Sequence, residues 1–260
     1  MPHQQDTTTQ QALTAAQFGG RADAYVQSAV HAQGQDLAMM ADRAKDFAPK
    51  TVLDIGCGGG HVSFALAPHA SQGVTACDLS AEMLAAVSTE ADRRGLSNIE
   101  TCQGAAESLP MQDTRFCLVA SRFSAHHWSD LRAGLREARR VAKRGALGLF
   151  VDVISPGRPL FDSFLQSFET LRDPSHVRNY AAQEWLAALT EAGFSLRQAH
   201  FYRLPIEFQA WITRMNTDPI HAQAIRSLQG RMAAEVRDHF QITSDGGFTL
   251  DCGYFEVVAV

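Results

Sequence analysis

From residue 51 to about residue 155, short apolar runs alternate with amphipathic stretches. Val52-Leu53-Asp54-Ile55 and Gly73-Val74-Thr75-Ala76-Cys77-Asp78 read as buried strands, and residues 99–102, 116–120 and 145–153 read as three more. Between the second and third, Ser80 caps a helix that runs to about Arg94 with Met83, Leu84 and Val87 on one face, and Gly95 ends it. Residues 131–143 form a basic amphipathic helix. Strands and helices in strict alternation predict an α/β fold, a parallel sheet with helices on both faces.

The pattern changes at Pro156, Gly157 and Pro159. Phe161, Phe164, Leu165 and Phe168 have helical spacing over residues 161–171, and Asp173-Pro174 breaks it. A helix over 182–192 ends at Gly193, and a strand follows over 194–204. Residues 211–240 are mostly helical, interrupted at Asp218-Pro219. Ser244-Asp245-Gly246-Gly247 makes a turn before a closing strand at 255–260. Residues 207–243 therefore read as an insertion between the last two strands, a lid.

The 260 residues are 45% hydrophobic, ample for a core, and carry a net charge of −5. That balance gives no electrostatic footprint for nucleic acid. No apolar run approaches membrane-spanning length. Residues 1–16 are polar and rich in Gln and Thr, unlike a secretory signal, and read as a frayed leader that turns helical near Gln10. Cys57, Cys77, Cys102, Cys117 and Cys252 are odd in number and form no C-x-x-C pair. They read as small buried thiols in a reducing, cytoplasmic setting and argue against a zinc site.

One segment carries chemistry. Asp54-Ile55-Gly56-Cys57-Gly58-Gly59-Gly60 joins the first strand to a helix beginning at His61. Glycine there reaches backbone angles closed to other residues and lets a ligand lie against the main chain, while the helix points free N–H groups at it. A plain tight turn is the simplest alternative. The dinucleotide fingerprint G-x-G-x-x-G needs a third glycine where this chain has His61. The actual spacing is D-x-G-x-G-x-G.

In that form the segment resembles the first motif of class I S-adenosylmethionine-dependent methyltransferases. The resemblance implies a doubly wound, Rossmann-like sheet of seven strands in the order 3-2-1-4-5-7-6, the last antiparallel. It implies one domain over residues 1–260, with a cofactor core at 18–155 and helical lid or acceptor elements at 156–192 and 207–243. It also implies that Gly56, Gly58 and Gly60 wrap the methionine part of S-adenosylmethionine and that Asp54 fixes the loop and the amino group. Asp78, 22 positions after Gly56, sits where nucleotide folds place an acid on the ribose hydroxyls; capping the next helix is its other reading, and Ser80 is the better cap. Leu79 and Met83 would flank the adenine. Gly104-Ala105-Ala106-Glu107-Ser108-Leu109-Pro110 resembles the family's G-D-A-E-x-L-P segment along the adenine, with Ala105 in place of the usual Asp. Backbone groups of Ala105 and Ala106, or Glu107, would then make that contact.

Ser121-Arg122-Phe123-Ser124-Ala125-His126-His127-Trp128 leaves the fourth strand and resembles the R-x-x-x-H-H run of the ubiquinone and menaquinone C-methyltransferase-like branch. Methyl transfer is an in-line displacement in which a base helps at hydroxyl or acidic carbon. His126 and His127 are the candidates, His126 preferred, although either could simply pack beneath the next helix. Arg122 either holds an acidic group or pairs inside the fold. Phe18, Gly19, Ala22 and Tyr25 resemble the aromatic segment folded over the cofactor, an amphipathic helix packed on the sheet being the other reading, and His31 and Gln35, one turn apart, could face the same pocket. Asp152, His176, Arg178, Tyr180, Trp211 and Arg214 could line an acceptor pocket suited to a small organic molecule. No metal is implied, and a homodimer is compatible with the sequence. The expected function is methyl transfer to a small molecule at carbon or oxygen. A cofactor binder without catalysis and a nicotinamide-dependent oxidoreductase are the alternatives.

Overall fold

The computed structural model describes residues 9–20 and 34–260. Among them the strands are β1 (Thr51–Ile55), β2 (Gly73–Asp78), β3 (Ile99–Gln103), β4 (Phe116–Arg122), β5 (Ala142–Val153), β6 (Phe194–Ile206) and β7 (Phe248–Ala259). They make one sheet in the order β3-β2-β1-β4-β5-β7-β6. The first five pair in parallel, and β7 runs antiparallel to both β5 and β6. This is the expected doubly wound sheet with its reversed last strand. Chain order changes direction between β1 and β4, and ligands of such sheets bind beyond the strand ends at that point.

The helices are α1 (Gln10–Gly19), α2 (Gln35–Phe47), α3 (His61–Leu66), α4 (Ala81–Arg94), α5 (Leu131–Val141), α6 (Pro159–Arg172), α7 (Ala182–Ala192), α8 (Phe208–Met215), α9 (Pro219–Arg231) and α10 (Ala234–His239). Alternate strand residues divide between the two faces of the sheet. Leu53, Ile55, Val119, Phe150 and Phe255 join one core with Leu135 of α5 and Trp185 of α7. Val52, Leu118, Leu147 and Leu149 join the other with Met40 of α2 and Leu66 of α3. A third core ties the expected insertion to the sheet: Phe164 and Phe168 of α6, Trp211 of α8, Ile225 of α9 and Val236 of α10 pack on Phe248 of β7. The Trp211 and Phe168 rings meet Phe248 edge-on, with centroids 4.9 and 5.0 Å away.

Two boundaries differ from the sequence reading. The basic helix stops at Val141 rather than near 143, because buried Ala142 already pairs with Phe116 and the register then shifts before Leu118 pairs with Leu147. The closing strand starts at Phe248, well before residue 255. Phe248, Leu250, Cys252 and Tyr254 alternate with Thr249, Asp251 and Gly253, and the acid and the glycine break up any continuous apolar run; Asp251 is held by Arg203 of β6 and His239 of α10.

Candidate functional site

The loop from β1 to α3 is main chain bent back on itself. Gly56, Gly58 and Gly60 have φ of +67°, +48° and +79°, the left-handed region that only glycine enters cheaply. Their surroundings assign them different tasks. A Cβ on Gly56 would lie 1.8 Å from the Ser124 hydroxyl oxygen, so this glycine lets the β4 loop close against the β1 loop. A Cβ on Gly60 would lie 2.8 Å from Phe64 and 3.0 Å from Val87, so this one seats α3 against α4. A Cβ on Gly58 would meet nothing within 4 Å: it borders open space.

Two carboxylates hold the bend. Asp54 is 1% exposed, and its Oδ2 accepts the Ser63 N–H at 3.0 Å and the Ser63 hydroxyl at 2.7 Å. It therefore fixes the first turn of α3 to the end of β1. Burial pushes its carboxyl up to about 7, against the pull of the Ser63 bonds. Asp78, at the end of β2, accepts the Gly58 N–H at 2.9 Å on Oδ2 and the Ser80 N–H at 3.0 Å on Oδ1. Burial raises it too, opposed by these backbone donors. Ser80, not Asp78, caps α4 by accepting the Met83 N–H.

A cleft with about 970 Å³ of empty space, its mouth included, opens over this loop. Of the residues expected at the cofactor, Asp54, Gly56, Gly58, Asp78, Leu79, Met83, Ala106, Glu107 and Arg122 line it. Gly60 and Ala105 do not; Gly60 is turned to Phe64, and Ala105 bridges to Ser108 and shapes the loop after β3. Glu107 accepts the Ser129 N–H at 2.6 Å, fastening that loop to the segment that starts α5. Arg122 takes its internal option: it is 8% exposed and forms a two-pronged pair with Asp36 of α2, its Nη2 donating at 3.2 Å. Tyr25, Ala22 and His31 lie outside the described residues.

The sequence reading expected Phe18 at the cofactor but missed the rest of its wall. Gln11, Thr14, Ala15 and Phe18 of α1 line the cleft, and their spacing of three and four residues was the signal for a helix face. Ser124 and Trp128 line it as well, joined by a 3.1 Å hydrogen bond from the indole N–H.

The paired histidines stand on opposite duties. His127 lines the cleft, while His126 lines a second cavity beneath it. Phe18, Phe123 and His127 belong to both walls, so the two spaces adjoin there. His126 Nδ1 lies 2.6 Å from Asp152 Oδ1, and its backbone N–H donates to Asp152 Oδ2 at 3.1 Å. Burial works against a charge on this ring, but the Asp152 carboxylate outweighs it and the pKa ends above the ordinary value. His127 is lowered, first by burial and then by His126. Its Nδ1 lies 3.1 Å from the Ser175 carbonyl oxygen, and the Phe18 ring meets it edge-on at 4.9 Å.

The second cavity has about 640 Å³ of empty space and also takes in Glu169, Arg172, Asp173, Asn179, Leu204, Trp211 and Arg214. Trp211 and Arg214, expected to line an acceptor pocket, line this cavity; Asp152 does not, and meets it only through His126. His176, Arg178 and Tyr180 are not in its wall. Arg178 pairs with Asp162 and Glu184, and His176 meets Gln166 at 3.0 Å. Among the described residues no group of three His, Cys, Asp or Glu is placed to hold a metal ion, and no helix is long and apolar enough to cross a membrane.

Residues 52–145 match the family described as Methyltransferase domain. The chain is 47% identical over 192 residues to the uncharacterized protein YafE of Escherichia coli strain K12, covering 74% of this chain and 92% of YafE. It is 36% identical over 226 residues to the uncharacterized methyltransferase YcgJ of Bacillus subtilis strain 168, covering 87% of this chain and 89% of YcgJ. The crystal structure of YcgJ superimposes with a TM-score of 0.82 at 34% identity, over 86% of this chain and 97% of that one. Sheet order, glycine loop and these likenesses agree: the chain belongs to the class I S-adenosylmethionine-dependent methyltransferases.

Proposed function

We propose that the protein moves the methyl group of S-adenosylmethionine to a small organic acceptor, at carbon or oxygen. The observation that carries this reading is the shared wall: the glycine-loop cleft and the second cavity meet at Phe18, Phe123 and His127. A cofactor on one side and an acceptor on the other would react across that wall.

The cleft suits the cofactor. The bare edge of Gly58 leaves room for an aminoacyl tail. Each Asp78 oxygen already accepts one backbone N–H and keeps a lone pair for a ribose hydroxyl. Leu79 and Met83 offer apolar surface for the adenine, beside Ala106 and Glu107. Gly56, Gly60, Ala105, Asp54 and Arg122 would act by holding the cradle in shape rather than by touching the nucleoside. S-adenosylmethionine supplies an electrophilic methyl on a sulfonium, which leaves as a neutral thioether.

His126 is the acceptor's base in this reading. With Nδ1–H donated to Asp152, the free lone pair of the ring is on Nε2, and the residue lines the cavity. Asp152 would stabilise the imidazolium that forms when Nε2 takes a proton. His127, kept neutral, would position the reacting groups at the junction. The segment from α8 to α10 would serve as a lid, with Trp211 and Arg214 as its contacts on the cavity. Incubation with methyl-labelled cofactor and a cell extract, followed by identification of the labelled product, tests the reading. A labelled small molecule formed by the protein, and lost with His126→Ala, is the expected result. Label found in no small molecule would contradict it.

A further inference from the structure

We propose that Asp173 and Asn179 form a recognition end of the second cavity that selects a neutral, compact molecule: one with a hydroxyl to donate and a carbonyl or ether oxygen to accept. The assignment of this molecule as methyl acceptor rests on the reading above; the binding chemistry is tested separately from it.

Asp173 is 1% exposed. Its Oδ1 accepts the Ser175 N–H at 2.8 Å and the Ser175 hydroxyl at 2.6 Å, while Oδ2 has no hydrogen-bond partner. Asn179 is also 1% exposed, and its side-chain Nδ2 has none either. Both residues line the cavity. A buried carboxylate oxygen and a buried amide nitrogen left unpaired are each costly, and native interiors leave few of them. A ligand that supplies one donor and one acceptor removes both costs.

The neighbouring ring sharpens the first requirement. His127 Nδ1 faces the Ser175 carbonyl, so this nitrogen carries the hydrogen and Nε2 carries a lone pair. Nε2 lies 3.8 Å from Asp173 Oδ2. Two acceptors thus face each other with no hydrogen between them, and a hydroxyl placed there serves both. Asn179 requires the opposite, an oxygen.

Charge sets the second requirement. An anion in the cavity would face Asp173 and Glu169, and a cation would face Arg172 and Arg214. Arg172 is already engaged: it lies 3.6 Å from Glu169, donates to the Trp211 carbonyl at 3.2 Å and stacks 4.6 Å over the Trp211 ring. Acids and arginines offset each other at this end, which favours a neutral polar group over either sign. Phe123, Leu204, Ile206 and Leu250 give the molecule an apolar body to lie against.

The test is calorimetric titration of the protein, saturated with S-adenosylhomocysteine, with four ring compounds of similar size. These are 4-hydroxyacetophenone, 4-methoxyacetophenone, 4-hydroxyphenylacetate and tyramine. The neutral hydroxy-ketone is expected to bind at least tenfold tighter than the methyl ether, the anion or the cation. Asp173→Asn puts a donor where Oδ2 was and is expected to weaken the hydroxy-ketone at least fivefold. Asn179→Leu, with the same branched shape and free of the Ser175 contacts, is expected to do the same with a folded chain, checked by its melting temperature. Equal or tighter binding of either charged compound overturns the proposal. So does unchanged affinity in both variants, or binding of none of the four. If S-adenosylhomocysteine does not bind, methyl transfer fails as a reading, and the same titrations without it still decide the chemistry of the cavity.

Discussion

The two adjoining spaces are built by opposite means. The upper cleft is main chain shaped by short-range partners: Asp54 holds Ser63 nine positions away, and Asp78 holds Gly58 twenty positions away. The lower cavity is side chains held by distant segments. His126 depends on Asp152 of β5, and the carbonyl of His126 accepts the N–H groups of Val177 and Arg178. Arg122, in the wall of the upper cleft, is the exception there: it reaches back 86 positions to Asp36. A cradle made of backbone can serve any member of a family that shares one cofactor. A pocket made of side chains can be remade for each acceptor.

The contrast breaks most sharply at His126. His126→Ala is expected to lower turnover on an identified acceptor by about 10²–10⁴-fold while leaving affinity for S-adenosylhomocysteine unchanged. Asp152→Asn should lower turnover too. It should also move the acid limb of the rate profile to lower pH, since the carboxylate that raises the His126 pKa is gone. A purely structural His126 would show neither shift. On the other side of the wall, Asp78→Ala is expected to weaken S-adenosylhomocysteine by roughly 10–100-fold, the worth of lost hydrogen bonds to a charged acceptor. Calorimetry reads this directly.

The surroundings of the two spaces, His176 lying beside His126 of the second cavity, should also differ in how pH acts on stability. His127 and His176 are held below the ordinary histidine value, His176 to about 2, with burial the largest cause in each. The unfolded chain then binds protons that the folded chain refuses. Stability contributed by neutral His176 is present above pH 6.5 and falls as pH drops below it, by about 2 kcal/mol between pH 7 and pH 5. Asp54 acts in the other direction. Its folded pKa is raised to about 7, so its share is present below about pH 4 and is lost as pH rises through 7. Urea denaturation of His176→Gln at pH 5 and pH 7 should show a smaller acid loss than the parent; an unchanged loss would place the titration elsewhere.

The smallest effects separate the glycines. Gly60→Ala drives a methyl against Phe64 and Val87 and should cost stability, roughly 1–3 kcal/mol. Gly58→Ala meets no protein atom and should cost about 1 kcal/mol from backbone strain, yet weaken the homocysteine compound more than Gly60→Ala does. Equal binding losses with equal melting would erase the distinction between them.

Local construction also decided what could be read in advance. The glycine loop, Asp78 and the Ser80 cap lie within 27 residues, each with a positional meaning of its own, so the sequence disclosed cleft and fold together. The sheet order was carried by family resemblance, not by periodicity. The lower cavity left no such trace. Asp152 is a single polar residue whose partner His126 comes from another segment, and no spacing announces a pairing across 26 positions; Asp173 and Asn179 are single polar residues in a loop with no pattern of their own. Arg122 was ambiguous for that reason, and only the approach of α2 resolves it into a buried pair. Phe248, Leu250 and Cys252 do alternate, but Asp251 and Gly253 masked the strand until its neighbours accounted for them.

The most direct measurement is calorimetric titration of the purified chain with S-adenosylhomocysteine and, separately, with NADH. The account predicts one molecule of the homocysteine compound bound per chain, weakened by Asp78→Ala, and no heat from NADH. Saturable NADH binding with no response to the homocysteine compound would contradict it.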